Sequence, residues 1–361
     1  MNVHEYLVTL GIRPAELSGL KELPGSTKDR LTPLVLLAPW LATTPLSRAL
    51  DKFEESYQSR PYFVDVDTYY QVNDKPNKSK KLWELLAKKP ADLAVWWELL
   101  SKYPQANPCL LMAEQPIKSA REQIEWAREN SRSFCLRMNF DKHIGSSIPS
   151  WMPELVTELA KEGAIDYAIV FEFGWVKDPL LVAADASEFA KSFCSEIPQT
   201  IPVAVSCTSF PREFTDYDGT AECAFTNRKL IAQVRRITNR PKVIYADWGT
   251  TRPRRYGHAN APKNRIDYPT DTSWVIARDQ DGQVSFQEAA RRITSSQHWS
   301  GDLGIWGEQL IEGTAAGQAF AIDTMPKMYS ARINIHLHRQ AYDGDLPPPD
   351  ALDEEWKDDD F

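Results

Sequence analysis

Short apolar runs recur along the chain, each ending in a polar residue and followed by a stretch with helical spacing. The runs are Leu34–Ala38, Tyr62–Asp67, Pro108–Glu114, Ser133–Phe140, Tyr167–Phe173, Ile201–Cys207, Lys242–Trp248 and Ser273–Arg278. Their starts lie 28, 46, 25, 34, 34, 41 and 31 residues apart. A strand–helix–strand unit needs about 30 residues or more, so these intervals fit helical crossovers better than hairpins. Between them, Leu46–Tyr57 presents Leu46, Leu50 and Phe53 at helical spacing, and Pro153–Glu162 stops at Gly163, a natural helix terminator. Asp218–Ala224 reads as a loop.

Eight strands alternating with helices predict a (β/α)8 barrel of the TIM type, with strands apolar on both faces. The rival is an open doubly wound sheet, which advertises a glycine-rich phosphate loop after its first strand. Here that segment is Ala38-Pro39-Trp40-Leu41-Ala42, without glycine. The expected organisation is an N-terminal cap over residues 1–30, a barrel with a C-terminal extension over 31–342, and a disordered acidic tail over 343–361. Within the extension, Ala331–Arg339 alternates like a strand.

Charge changes this picture in one place. The formal net charge is −8, and Asp343–Phe361 carries nine acids and one base, the whole of that excess. The body is neutral overall, so net charge gives no reason to read it as a nucleic-acid binder. At 42% hydrophobic and 25% charged, the chain reads as an ordinary globular protein. It shows neither a secretory signal nor an apolar run long enough to span a bilayer. The five cysteines have no metal spacing and read as buried thiols in a reducing cytosol.

In a barrel the functional site lies at the carboxyl ends of the strands. The polar residues there are Asp65 and Asp67, Glu114, Arg137 and Asn139, Glu172, Ser206, Asp247 and Arg278. Converging carboxylates persist only when paired, protonated or bridged by a cation. In one arrangement Asp65, Glu172 and Asp247 hold Mg²⁺, a hard ion that prefers oxygen ligands. Arg137 then holds a phosphate-bearing ligand, such as a nucleotide, and metal-bound water hydrolyses it, with Glu114 among the catalytic acids. On that reading Asp247→Ala removes binding without unfolding the chain. In the other arrangement the acids and arginines pair as a network closing the mouth. The segment after the seventh run adds Arg252, Arg254 and Arg255, either phosphate ligands or a solvated loop. His336 and His338, two apart on a strand, would share a face, the spacing of a zinc pair or of two packed side chains. The tail offers Trp356 and Phe361 to a protein partner, or serves only solubility.

Several of these segments resemble the family known as beta protein, named after a phage protein. They are Thr32-Pro33-Leu34-Val35-Leu36, Tyr62-Phe63-Val64-Asp65, Leu136-Arg137, Tyr245-Ala246-Asp247-Trp248-Gly249 and Ala331–His338. The resemblance runs over roughly residues 30–340 and brings no established activity. It implies a phage or bacterial setting and a role in phage–host conflict, such as antiphage defence.

Overall fold

Runs of mostly buried residues form the strands, apart from β8, which has no buried residue. They are β1 (Tyr6–Gly11), β2 (Leu31–Leu37), β3 (Tyr62–Val66), β4 (Ala106–Pro108), β5 (Phe134–Asn139), β6 (Tyr167–Trp175), β7 (Val203–Thr208), β8 (Gly219–Ala224), β9 (Val243–Asp247), β10 (Ile266–Pro269) and β11 (Ser273–Arg278). The structure is a computed structural model. It describes residues 1, 3–40, 44–70, 78–87, 93–111, 115–140, 151, 154–155, 157, 159, 166–194, 197–240, 242–254 and 263–343. The chain divides into two compact units. One is Met1–Ile12, Thr32–Ser209 and Thr226–Tyr256; the other is Arg13–Leu31, Phe210–Phe225 and Gly257–Phe361.

The first unit is built on eight strands in the order β4-β3-β2-β1-β9-β7-β6-β5. The pairings β1–β9, β2–β3, β3–β4, β5–β6, β6–β7 and β7–β9 are parallel. The two ends of this order meet at a parallel bridge between Cys109 and Cys135, where Leu110 N donates to Cys135 O at 2.8 Å. The sheet is therefore a nearly closed barrel. Crossover helices include Ser47–Tyr57, Pro116–Glu129, Ala183–Cys194 and Asn227–Thr238. Asn227–Thr238 shows why they form. Leu230, Ile231 and Val234 make one buried stripe, Arg235 and Arg236 complement the carboxyl end, and Asn239 ends the helix at φ 49°. Alternate strand residues, among them Leu7, Leu36, Phe63, Cys109, Cys135, Val170, Ala204 and Ala246, form the enclosed core.

Three sequence expectations change here. Seven of the eight expected runs supply strands of this sheet, but its first strand is Tyr6–Gly11, inside the segment read as a cap. The eighth run, Ser273–Arg278, is β11 of a separate antiparallel sheet, β10-β11-β8, in the second unit. Trp274-Val275-Ile276-Ala277 is as apolar as a barrel strand. The short link from Pro269 to Ser273, with Thr270 N donating to Ser273 O at 2.8 Å, makes it half of a hairpin instead. On the other edge of β11 the pairing strand is β8, which covers residues read as a loop.

Helices pack on one face of this second sheet, over a core of Ile266, Tyr268, Val275, Ala277, Ile293, Ile311 and Ile335. The longest, Met325–Tyr342, contains the stretch expected as a strand. Its apolar–polar alternation imitates a period of two because the helix is buried on nearly every side, so its polar residues are enclosed as well. Asn334 accepts from Gly307 N at 2.9 Å and donates to Gly19 O at 3.0 Å. Gly19 and Gly307 let their backbones press on this helix. A Cβ would lie 2.7 Å from Ser330 O at the first and 2.6 Å from Ala331 O at the second. Among the described residues, no helix is long and apolar enough to cross a membrane.

Candidate functional site: the mouth of the parallel sheet

Side chains of the parallel strands alternate between the enclosed core and the outer face. Cys135, Val170, Ala204, Ala246 and Phe63 belong to the core, so Arg137, Glu172, Ser206, Trp248 and Asp65, two residues further on, lie on the same side. Arg137 Nη1 donates to Asp65 Oδ2 at 2.9 Å, and its Nη2 stands 3.9 Å from Glu172 Oε2. Glu172 is fully buried. Its Oε1 accepts from Trp248 Nε1 at 2.9 Å and Gly174 N at 2.7 Å; its Oε2 accepts from Ser206 Oγ at 2.9 Å and Thr9 Oγ1 at 3.5 Å. Gly174, at φ 62°, sits where the β6–β7 register slips, and this bulge turns its amide back onto Glu172.

Burial pushes both carboxyls above their ordinary range, while Arg137 and the hydrogen bonds to each pull them back. The two acids hold Arg137 firmly protonated against its own burial. Nevertheless Nε and Nη2 of Arg137, both buried, have no hydrogen-bond partner. At the rim, Asp67 accepts from Tyr69 N at 3.0 Å and from Arg254 Nε at 2.7 Å. The Tyr69 ring meets Trp248 edge-on at 5.7 Å, and its hydroxyl accepts from Asn139 Nδ2 at 2.9 Å.

Asp247 lies apart from this group. Ala246 belongs to the core, so its neighbour Asp247 points to the outer face of the sheet. There it accepts from Tyr6 OH at 2.7 Å, Tyr245 OH at 2.5 Å and Gly249 N at 2.8 Å. Burial and the adjacent Asp247 charge push both phenols well above their usual range. The structure thus brings Asp65, Arg137 and Glu172 together, with Arg254 at the rim through Asp67, and leaves Asp247 behind the sheet wall. Asp65, Glu172 and Asp247 do not fit one Mg²⁺ ion, because they lie on two faces and their oxygens are engaged by protein donors. Among the described residues, no three His, Cys, Asp or Glu side chains gather as a metal site.

Arg252 is half-buried in the loop after β9, and Arg278 closes β11 in the second unit. Glu114, Arg255, Trp356, Phe361 and the rest of the acidic tail lie outside the described residues. His336 and His338 sit on a helix, where two positions span about 200°. His336 meets the Phe225 ring edge-on, whereas His338 Nδ1 pairs with Thr27 Oγ1 at 2.9 Å, so they share no ligand. Cys109, Cys135 and Cys207 are buried free thiols, as expected, and burial raises the pKa of Cys109 and Cys207. Thr9 was missed because its strand was. Ser206 and Trp248 were visible at strand ends, but only their parity relative to Ala204 and Ala246 marks them as facing Glu172.

The chain is similar to protein beta of Enterobacteria phage P4, at 24% identity over 344 residues, 93% of each chain. The family description "Beta protein" matches residues 6–342, taking in every strand and the long last helix. A match of that extent shows that the chain belongs to the Beta protein family.

Proposed function

We propose that the nearly closed sheet works as a TIM-type barrel whose mouth binds a phosphate-bearing ligand through Arg137. One observation carries the reading: the Nε and Nη2 of this buried guanidinium have no hydrogen-bond partner. These two N–H groups share one edge of the guanidinium plane, the fork that matches two oxygens of a phosphate. An unpaired buried donor costs roughly 1–3 kcal/mol, and more when charged, so the free edge favours an incoming acceptor. Asp65 fixes the third nitrogen, which holds the fork in place. Asn139, bonded to Tyr69, and Arg254, bonded to Asp67, form the rim that the remainder of the ligand would meet. The reading is one of binding and contains no metal-dependent step. Likeness to a phage P4 protein supports a phage or bacterial setting; a role in phage–host conflict belongs to the same proposal.

The test titrates AMP and adenosine into the full-length protein, followed by calorimetry. AMP is expected to bind, adenosine to bind at least tenfold more weakly, and Arg137→Gln to lose at least tenfold in AMP affinity while remaining folded by circular dichroism. Deleting residues 350–361, with Trp356 and Phe361, is expected to leave AMP binding unchanged. Equal affinity of wild type and Arg137→Gln would overturn the reading.

A further inference from the structure

The antiparallel sheet of the second unit is ordered β10-β11-β8, so β8 ends it with one side bonded and the other open. Its pairing with β11 runs unbroken over six residues, from Gly219 opposite Arg278 to Ala224 opposite Ser273. Just beyond, Phe225 N donates to Thr272 O at 2.7 Å. In an antiparallel ladder, bonded and non-bonded pairs alternate. Counting back from Phe225, the residues Cys223, Ala221 and Gly219 turn their backbone groups toward β11. Thr220, Glu222 and Ala224 turn theirs away, and no described residue bonds them there. These same three residues are exposed, whereas the three between them are half-buried.

A row of open donors and acceptors is a template for another strand, and proteins blunt such edges with proline, lysine, a bulge or a cover. β8, Gly219-Thr220-Ala221-Glu222-Cys223-Ala224, has no proline or lysine, and its register does not slip. What it carries is one negative charge. Glu222 Oε2 stands 3.9 Å from His298 Nε2, too far for a hydrogen bond. Asp218, just before the strand, accepts from Gln280 N at 2.8 Å, and its charge is answered by Arg278. Glu222 meets no lysine or arginine among the described residues. This charge selects the occupant. Two copies of β8 joined antiparallel through all three outward residues would set Glu222 directly opposite its own counterpart, and like charges so placed repel. A strand that brings lysine or arginine to that position is attracted instead.

We propose that the open side of β8 is a docking edge, which takes an extended basic segment of a partner protein as a fourth strand of this sheet. The backbone groups of Thr220, Glu222 and Ala224 supply the affinity, and the Glu222 carboxylate supplies the preference for a basic segment. The proposal does not depend on Arg137 or on the phosphate reading of the mouth.

The probe is a short peptide, capped at both ends, in which threonine and valine alternate around one lysine. Added to the full-length protein, it is expected to bind saturably. At saturation, hydrogen exchange at the amides of Thr220, Glu222 and Ala224 should slow at least tenfold. Glu222→Gln should weaken binding at least threefold, as should glutamate in place of the peptide's lysine. Ala224→Pro removes one outward N–H, keeps Glu222 and suits an edge strand. It should stay folded by circular dichroism and lose at least fivefold in affinity. The same peptide methylated at every backbone nitrogen keeps its side chains and charge but cannot donate, so it should lose at least as much, whatever the fate of Ala224→Pro. The proposal is overturned by an absence of saturable binding, by binding that leaves the three amides unprotected, or by equal affinity for the methylated peptide. Unchanged affinity in Glu222→Gln overturns it too, as does a free protein already dimeric with these amides protected, in which a second copy is the occupant.

Discussion

The indole Nε1 of Trp248 donates to Oε1 of Glu172 at 2.9 Å, linking the end of β9 to the interior of β6. Tryptophan offers one donor and no acceptor, and this carboxylate uses it. Trp248→Phe keeps most of the ring against Tyr69 but removes the donor. A loss of about 2 kcal/mol in urea unfolding is expected, the cost of leaving a buried acceptor short of a partner. The loss has a pH signature. The Glu172 pKa is raised by burial, so its contribution to stability is present below the unfolded value and lost as pH rises through the folded one. Removing a donor that favours the ionised form raises it further. The gap between variant and wild type should therefore widen as pH rises, and a gap independent of pH would show that the indole bond leaves Glu172 untouched.

Asp65 and Arg137 form the buried ion pair of the mouth, with side chains 14% and 3% exposed. Breaking such a pair from one side strands a buried charge. Asp65→Asn is expected to cost about 3 kcal/mol, and the double variant with Arg137→Gln less than the sum of the two single losses. A double-mutant cycle by chemical denaturation measures this directly. Additive losses would mean that the two groups do not sense each other.

Much of the first unit was legible because its strands are short, apolar and closed by polar residues at regular intervals. Asp65, Arg137 and Glu172 were found that way. Parity was harder to read. Asp247 ends its strand as Glu172 nearly ends its own, but the inward position there belongs to Trp248. Counting from the strand end cannot show this; only the side taken by Ala246 does. β1 escaped notice because Leu10-Gly11 closes it without a charge. The helix Met325–Tyr342 reads as a strand because local apolar pattern reports burial, and burial on several sides erases the period that separates strand from helix. Ser273–Arg278 is a strand as expected, but an apolar run does not say which sheet it joins; the short link back to β10 does.

Asp247 accepts three hydrogen bonds on the outer face, away from Arg137. Asp247→Ala is thus expected to destabilise the chain by about 2–4 kcal/mol by leaving two buried phenols and an amide without their acceptor. AMP affinity of the folded fraction should stay within about threefold of wild type, since this carboxylate lies on the opposite face of the strand from Ala246 and the core side that carries Arg137. Thermal unfolding and calorimetry on the same samples separate the two effects. A stable variant with abolished binding would return Asp247 to the site.

Gly307 approaches the helix Met325–Tyr342 so closely that an added Cβ would lie 2.6 Å from the backbone oxygen of Ala331 and 2.9 Å from Asn334 Oδ1. Helix propensity alone favours Gly307→Ala by just under 1 kcal/mol. Overpacking against backbone costs about 1–3 kcal/mol, and it also displaces the bond from Gly307 N to Asn334. The net outcome expected is a lower Tm. A rise in Tm would mean that the two helices can move apart freely.

His338 is enclosed in the same helix, its Nδ1 paired with Thr27 Oγ1 at 2.9 Å and its ring 5.0 Å from that of Tyr342. Burial lowers its pKa to about 4, with the neighbouring Arg339 charge acting in the same direction. In the unfolded chain an imidazole takes its proton near pH 6.5, so between there and pH 4 the unfolded state binds a proton that the folded state refuses. The stability that depends on a neutral His338 is complete above pH 6.5 and falls with decreasing pH, by about 3 kcal/mol once pH 4 is reached. His338→Gln can still pair with Thr27 and does not titrate. Denaturation curves at pH 7.5, 6, 5 and 4.5 should show the variant losing less stability than wild type on acidification. Parallel pH profiles would mean that His338 titrates alike in the folded and unfolded chain.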